Sequence, residues 1–204
     1  MELRTRYGPP EKPFPLWRIN KEGILIPKYY GLKNFITNQE ENSQLTTTYP
    51  PGEHINLEFS SGLREHQILA VKKIKESYEK IGGALLCLGC GLGKTVVALH
   101  MISTMKLKTL VIVHKEFLVN QWIERANTFL PGAKIGILKQ NKIQIEGNDI
   151  VIAMLQSLSM KEYPADIFDC FGQVIVDECH HIAAKVFCNG FTLYIPLQLS
   201  LIHI

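Results

Sequence analysis

The stretch Leu85-Leu86-Cys87-Leu88-Gly89-Cys90-Gly91-Leu92-Gly93-Lys94-Thr95 predicts how the rest of the chain is arranged. An apolar run, residues 84–88, enters a glycine-rich turn, and a helix-forming run begins near Lys94. A turn between a strand and a helix N-terminus points several backbone N–H groups inward, and the helix dipole favours negative charge there. The lysine can reach outer phosphates and the Thr95 hydroxyl can ligate magnesium, so the stretch is typical of a phosphate-binding loop.

The spacing of this loop departs from the strict pattern, which has glycine at the position of Leu88. A bare Gly-x-Gly-Lys-Thr also occurs in ordinary tight turns, so the loop alone leaves nucleotide binding and a tight turn both open. A second signal is Asp177-Glu178-Cys179-His180, which follows the apolar run 174–176. Acidic residues at such a strand end hold magnesium and position an attacking water. Together the two signals indicate a nucleotide site.

Between the two signals, strand-like and helical patterns alternate. Residues 109–113 are mostly β-branched and predict a strand, whereas residues 116–129 predict a helix with Trp122 in the core. Further strands are predicted at 134–138, 149–153 and 173–176, and a short helix at 156–160. The order β-α-β-α-β-β-α-β predicts an α/β fold with three layers, in which helices cover both faces of a parallel sheet.

The residues before the loop predict a separate, smaller part of the chain. Residues 16–36 are apolar enough for a small β element, and residues 38–53 are polar and typical of a linker. Ser60-Ser61-Gly62 is expected to open a helix. We therefore expect an N-terminal extension and linker at 1–60 and a nucleotide-binding domain at 61–198.

The composition is that of a globular protein with its own core, since 46% of the 204 residues are hydrophobic and 20% are charged. No apolar run reaches the length of a membrane span, so no membrane partner is expected. The five cysteines, an odd number, favour reduced thiols in an intracellular, reducing compartment.

The formal net charge of +3 is unevenly distributed along the chain. Residues 61–143 contain thirteen lysines and arginines and five acidic residues, whereas residues 144–204 contain two and seven. A basic middle region suits a polyanion such as nucleic acid, because each neutralised phosphate releases counterions. Lysines on solvated helix faces are an equally good explanation.

The cysteines and histidines admit a zinc site as a second interpretation. Cys87 and Cys90 have Cys-x-x-Cys spacing, and a second group lies near the acidic pair: Cys170, Cys179, His180, His181 and Cys188. The first pair lies inside the phosphate-binding loop, where a bound metal would block nucleotide, so the nucleotide interpretation is preferred.

Five runs follow one another in a characteristic order. They are Leu63–Gln67, Leu88–Thr95, Ile112–Trp122, Met154–Leu158 and Asp177–His180. Their residue types and order resemble the motifs of superfamily 2 helicases and translocases. The XPB-like branch, and within it the versions carried by large DNA viruses, is the most similar. That branch has proline where this chain has Gly89, and its leucine corresponds to Leu88, while the last run resembles its DECH box.

The resemblance implies a RecA-like domain that binds ATP and Mg²⁺. Gln67 would read the adenine edge. The remaining nucleotide-binding residues implied by the resemblance are Arg64, Gly89, Cys90, Gly91, Leu92, Gly93, Lys94 and Thr95. Thr95 and Asp177 would hold the magnesium ion.

The resemblance also implies roles in catalysis and in nucleic-acid binding. Lys94 and Asp177 would act on the phosphates and the metal, Glu178 would orient the attacking water, and His180 would relay the nucleotide state. Contacts to the nucleic-acid backbone are implied for His114, Lys115 and Gln156.

The implied function is that of an ATP-dependent DNA helicase or translocase, with DNA favoured over RNA as the partner. A viral protein of this kind would act in the host cytoplasm, the nucleus or the virion. The alternative from another class is a non-catalytic nucleic-acid-binding module that keeps the same fold. DNA-stimulated ATP hydrolysis discriminates between them.

The end of the sequence departs from the family pattern after Asn189. The resemblance implies a Ser/Thr-Ala-Thr coupling motif and a second RecA-like domain, and neither is recognisable in this sequence. Residues 199–204 resemble the translation of a sequencing adapter, so we expect an artefactual tail on a truncated gene model. Such a fragment is expected to bind nucleotide weakly and hardly to hydrolyse it.

Overall fold

The computed structural model describes residues 18–20, 23–25, 51–161, 163–179 and 199–201. No helix among these residues combines the length and apolar character that a membrane crossing requires. The chain divides into two compact units, Met1–Thr47 and Thr48–Ile204. In the first unit, strands β1 (Arg18–Asn20) and β2 (Gly23–Leu25) pair antiparallel, as the predicted small β element requires.

The second unit alternates strands and helices in the predicted order. Its described helices are α1 (Glu65–Ile81), α2 (Lys94–Met105), α3 (Glu116–Phe129) and α4 (Leu155–Met160), with a 3₁₀ turn at Ala165–Phe168. Its described strands are β3 (Ala84–Leu85), β4 (Thr109–Val113), β5 (Ile135–Lys139), β6 (Lys142–Ile143), β7 (Ile150–Met154), β8 (Gln173–Val176) and β9 (Leu199–Leu201). The bounds of β4, α3 and β8 are those predicted. Strands β5 and β7 each begin and end one residue later than predicted, and α4 begins one residue earlier.

The described strands of this unit form one mixed sheet in the order β3-β9-β8-β4-β7-β5-β6. All neighbouring pairs are parallel except β5 and β6, which form a hairpin at one edge. The predicted α/β class is confirmed, and the hairpin corrects the expectation of a purely parallel sheet. Strand β3 ends at Leu85 and not at Leu88, since it pairs with β9 at only two positions.

Both faces of the sheet are covered, which produces the three predicted layers. Side chains of β4 alternate between two hydrophobic clusters: Val111 and Val113 pack with α1, α2 and α3 on one face. Leu110 and Ile112 pack on the other face with α4 and the aromatic residues around the 3₁₀ turn. A strand buried on both faces is apolar throughout, and this explains why the pattern of β4 was easy to recognise.

Helix α1 begins at Glu65, three residues after the end of the predicted opening, Ser60-Ser61-Gly62. Ser60 does not cap this helix, because it is hydrogen-bonded to the last turn of α3. Its N–H donates to the Phe129 carbonyl at 2.9 Å and its hydroxyl to the Thr128 carbonyl at 3.0 Å. The helix is capped instead at Arg64, whose N–H donates to Gln67 Oε1 at 2.9 Å. The predicted start at residues 60–62 is therefore wrong.

The second unit includes residues on both sides of the predicted range 61–198. Glu53 is hydrogen-bonded to the end of the sheet at which the parallel strands begin, here called the amino edge; the opposite end is the carboxyl edge. The Glu53 N–H donates to the Cys170 carbonyl at 2.8 Å, and the Glu53 carbonyl accepts from Lys108 N–H at 2.8 Å. Ile55 and Leu57 are buried. At the other end of the chain, β9 lies between β3 and β8 within the sheet.

Candidate nucleotide-binding site

The loop between β3 and α2 has the backbone conformation that its glycines allow. Gly91 and Gly93 have φ of 76° and 80°, a left-handed conformation that other residues rarely adopt. A Cβ at Gly93 would also lie 2.4 Å from Gln67 Nε2. Gly93 therefore has two reasons to be glycine, its backbone angle and the close approach of α1.

Lys94 is the first residue of α2, and its side chain folds back into the loop. Only 5% of the residue is exposed. Its Nζ donates to the carbonyl of Leu88 at 2.7 Å and to that of Gly89 at 3.3 Å. The ammonium group thus lies inside the loop, beside the helix N-terminus where an anion is favoured.

The first turn of α1 is attached to the loop by two side chains. Gln67 is buried and its Nε2 donates to the Leu92 carbonyl at 3.1 Å, while His66 Nε2 lies 3.0 Å from the same carbonyl. Gln67 Oε1 already accepts from Arg64 N–H. An amide has two donors and two lone pairs, so Gln67 keeps one of each for the predicted contact with adenine. The contact of His66 was missed, because nothing in its sequence position signals it.

Asp177 follows β8 and is held by backbone and side-chain hydrogen bonds. Its N–H donates to the Ile112 carbonyl at 2.9 Å, and its Oδ2 accepts from Trp122 Nε1–H at 2.8 Å. Burial raises the pKa of the Asp177 carboxyl, and the hydrogen bond from Trp122 lowers it. The negative charge of Glu178 raises this pKa further, whereas the positive charge of Lys94 lowers it. Trp122 is in the core, as predicted, but its bond to Asp177 was not foreseen.

The other carboxylate oxygen of Asp177 fits a cation. Oδ1 is buried and has no hydrogen-bond partner among the described residues. A bare carboxylate oxygen is an expensive group to bury unless a charge or donor compensates it. Carboxylate oxygens are also the ligands that Mg²⁺ prefers. The residues present therefore fit the magnesium ion predicted between Thr95 and Asp177.

Glu178 adopts a strained backbone conformation at the same edge of the sheet. Its φ is 55°, in the left-handed region that costs a residue with a side chain roughly 1–2 kcal/mol. Such residues persist where the surroundings determine the conformation, and they are concentrated at functional sites.

These groups surround one cavity of about 680 Å³. Nine of its lining residues are predicted site residues: Arg64, Gln67, Cys90, Gly91, Gly93, Lys94, Thr95, Asp177 and Glu178. Gly89 and Leu92 belong to the loop without lining the cavity. Helix α3 also lines the cavity, with residues that were not predicted from the sequence: Phe117, Leu118, Gln121 and Arg125.

The structure brings two of the predicted nucleic-acid residues together. His114 follows β4 and Gln156 lies in α4 after the neighbouring β7, and Gln156 Nε2 donates to the His114 carbonyl at 2.7 Å. Lys115 is exposed, with its Nζ 5.9 Å from the centre of the Phe117 ring. The predicted role of His180 stays a prediction, because His180 lies outside the described residues.

The cysteines of the described chain are free thiols at positions 87, 90, 170 and 179. Among the described residues, no three His, Cys, Asp or Glu side chains come together as a metal-binding group. The other members of the zinc interpretation, His180, His181 and Cys188, lie outside that part of the chain.

The fold and the site define the class of protein. A P-loop ATPase domain with a RecA-like fold has a glycine-rich loop with a buried lysine, an acidic pair at the carboxyl end of another strand of the same sheet, and helices on both faces of that sheet. The family model described as type III restriction enzyme, res subunit, matches residues 60–199, and the chain belongs to that family.

Viral relatives carry helicase names. A protein of Acanthamoeba polyphaga mimivirus, named as an ATP-dependent RNA helicase, is 38% identical over 178 residues, which cover 87% of this chain and 33% of the relative. A helicase-named protein of Invertebrate iridescent virus 6 is 27% identical over 64% of this chain and 30% of its own length. These findings confirm the predicted resemblance to superfamily 2 helicases, and the chain spans about a third of these relatives.

A solved structure shows the same fold. The SWI2/SNF2 ATPase core of Sulfolobus solfataricus in complex with double-stranded DNA aligns with a TM-score of 0.59 and 21% identity, over 76% of this chain and 34% of that chain. The core domain without DNA gives the same TM-score, 0.59, at 20% identity, over 76% of this chain and 33% of that chain.

Proposed function

We propose that this chain is the ATP-binding motor domain of a DNA helicase or translocase. The observation that carries the proposal is that Lys94, Asp177 and Glu178 line one cavity beside the loop at the carboxyl edge of the sheet. They come from positions about 80 residues apart, and phosphate binding, metal binding and water activation are the three tasks of phosphoryl transfer.

Each side chain has a task that its surroundings permit. When ATP binds, the Lys94 ammonium would give up its hydrogen bonds to the Leu88 and Gly89 carbonyls and donate to phosphate oxygens instead. Phosphate oxygens are the stronger acceptors because they are charged. Thr95 and Asp177 hold the magnesium ion, which neutralises charge on the phosphates when bound. Glu178 accepts a hydrogen bond from the attacking water and orients it.

The proposed nucleic-acid contacts lie at the carboxyl ends of two neighbouring strands. The bond between Gln156 and the His114 carbonyl fixes the segment after β4 relative to the first turn of α4, which follows β7 directly. Exposed groups at this edge can contact a phosphate backbone, and Lys115 offers a positive charge. DNA is proposed as the partner although the mimivirus relative is named an RNA helicase, so both nucleic acids belong in the test.

ATP hydrolysis with and without nucleic acid tests the proposal. The 204-residue chain is assayed alone and fused to a second RecA-like domain, using duplex DNA, single-stranded DNA and RNA. We expect DNA to stimulate hydrolysis and Glu178→Gln to reduce it by about 10²–10⁴-fold while ATP still binds, because water activation is lost. Glu124→Gln, on the exposed face of α3, is the matched control and keeps full activity.

The alternative is a non-catalytic nucleic-acid-binding module. It predicts that nucleic acid binds while hydrolysis stays at the background level with every polymer. If RNA stimulates hydrolysis and DNA does not, the proposed motor function stands, and the partner is RNA and not DNA.

A further inference from the structure

Trp122 connects helix α3 with the acidic end of β8. It is 1% exposed, and its Nε1–H donates to Asp177 Oδ2 at 2.8 Å. A buried indole N–H usually finds an acceptor, and most acceptors in a core are backbone carbonyls. Here the acceptor is the carboxylate that the proposed function assigns to the cation.

The two oxygens of Asp177 are therefore not equivalent. Oδ2 is held by the indole, whereas Oδ1 is buried without a hydrogen-bond partner in the described part of the chain. Rotation of the carboxylate, or engagement of both oxygens by one ion, would weaken the indole bond. Oδ1 is thus the oxygen that remains for a cation in the cavity, which Asp177 lines.

We propose that Trp122 is a positioning residue that restricts Asp177 to a one-oxygen interaction with the divalent cation and thereby favours Mg²⁺ over Ca²⁺. The proposal rests on the proposed function, which places the cation at Asp177. Mg²⁺ requires octahedral geometry and keeps several waters, while Ca²⁺ accepts both oxygens of one carboxylate. Groups that orient a metal ligand typically change metal affinity by about ten- to a hundredfold when removed.

The substitution Trp122→Phe in the full chain tests this role, because it keeps an aromatic ring and removes the N–H donor. The measurement is the cation concentration that gives half-maximal binding of a fluorescent ATP analogue, first with Mg²⁺ and then with Ca²⁺. We expect the Mg²⁺ midpoint to rise about tenfold or more, and the Ca²⁺ midpoint to change less, so that the preference for Mg²⁺ narrows. Unchanged midpoints, or an equal shift for both cations, would overturn the proposal.

A matched control separates positioning from general loss of structure. Thr109→Val removes a buried hydroxyl that lies 2.8 Å from the Leu107 carbonyl and 3.1 Å from Gln173 Oε1, at the opposite ends of β4 and β8. This variant is expected to lose stability and to keep both cation midpoints. If its midpoints shift as those of Trp122→Phe do, Trp122 has only a structural role.

A second measurement needs no nucleotide, so it distinguishes failure of this proposal from failure of the proposed function. The chain has two tryptophans, and the indole N–H resonance of Trp122 in a ¹⁵N-labelled sample is identified by its loss in Trp122→Phe. We expect this resonance to shift in Asp177→Asn, and an unshifted resonance overturns the proposal. If Trp122→Phe does not fold, 3-benzothienylalanine, in which sulfur replaces the N–H group, takes its place in a Trp17→Phe background.

Discussion

The two edges of the central sheet each contain a buried lysine, and the two lysines have different partners. Lys94, at the carboxyl edge, is 5% exposed and donates to the backbone carbonyls of Leu88 and Gly89. Lys108, at the amino edge, is 2% exposed and forms an ion pair of 2.8 Å with Glu53. A carboxylate neutralises an ammonium group, whereas carbonyl groups only solvate it.

Other polar groups follow the same division between the edges. At the amino edge, Thr109 Oγ1 donates to Gln173 Oε1, and Gln173 Nε2 donates to the Tyr78 hydroxyl. At the carboxyl edge, Asp177 Oδ1 has no hydrogen-bond partner in the described residues, and Glu178 has a left-handed backbone. Buried polar groups without hydrogen-bond partners cost free energy, so they indicate the edge at which a bound ligand would supply the partners. The hydrogen-bonded polar groups of the amino edge stabilise the fold.

Among the tests of this division between the edges, the largest expected effect comes from applying one substitution to both lysines. Lys94→Met removes the charge that meets the phosphates, so we expect ATP to bind about ten- to a hundredfold more weakly, or about 1.5–3 kcal/mol. Lys108→Met makes the same chemical change at the other edge and should leave ATP affinity within about twofold. Titration with a fluorescent ATP analogue at constant Mg²⁺ measures both. Equal losses in the two variants would contradict the division between the edges.

The second expected effect concerns the stability of the amino edge. Glu53→Gln leaves the Lys108 ammonium buried without its carboxylate, and we expect the free energy of unfolding to fall by about 1–3 kcal/mol. Lys108→Met should cost less, because the Glu53 side chain is 61% exposed and water can hydrate it. Urea denaturation at neutral pH compares the two variants. A larger loss for Lys108→Met would show that packing of the lysine stem, and not charge pairing, holds this edge.

The sequence predicted the elements whose patterns contrast sharply with their neighbours. Strand β4 and helix α3 have the predicted bounds, because an apolar β-branched run and a helical repeat differ in period. The glycine-rich loop and the acidic pair were found for a chemical reason, since each places a specific functional group at a strand end. In the structure, residues of the loop and of the acidic pair line one cavity.

The pairings across the fold were not predictable from the sequence. Trp122 and Asp177 are 55 residues apart, and periodicity places Trp122 in the core without identifying what its N–H contacts. The Lys108–Glu53 pair has the same separation of 55 residues, and Glu53 lay in a predicted linker. Periodicity assigns a residue to a face, but the partner depends on how the elements pack in three dimensions.

The smallest expected effect belongs to a residue between the two edges. His100 lies in α2, with its ring 5.1 Å from the Phe59 ring and its Nδ1 3.3 Å from Thr104 Oγ1. Burial lowers the pKa of His100 below its ordinary value of 6.5, and the Lys75 charge lowers it further. The unfolded chain therefore binds a proton at a higher pH than the folded chain does.

This difference in proton binding predicts the sign of a pH effect on stability. Because the unfolded state binds more protons, the free energy of unfolding falls as the pH decreases through 6.5 and levels off below the pKa of the folded state. We expect less than about 1 kcal/mol, because the ring is only half-buried and water screens the effect.

Urea denaturation of wild type and His100→Gln between about pH 7.5 and 5.5 measures the effect as a difference. The comparison of wild type with His100→Gln is needed because Asp177 has the opposite effect on the pH dependence of stability. Burial raises the pKa of Asp177, so the folded state binds this proton at a higher pH than the unfolded state does. We expect the pH dependence to be flatter in His100→Gln than in the wild type. If the two proteins respond alike, the pH dependence comes from groups other than His100.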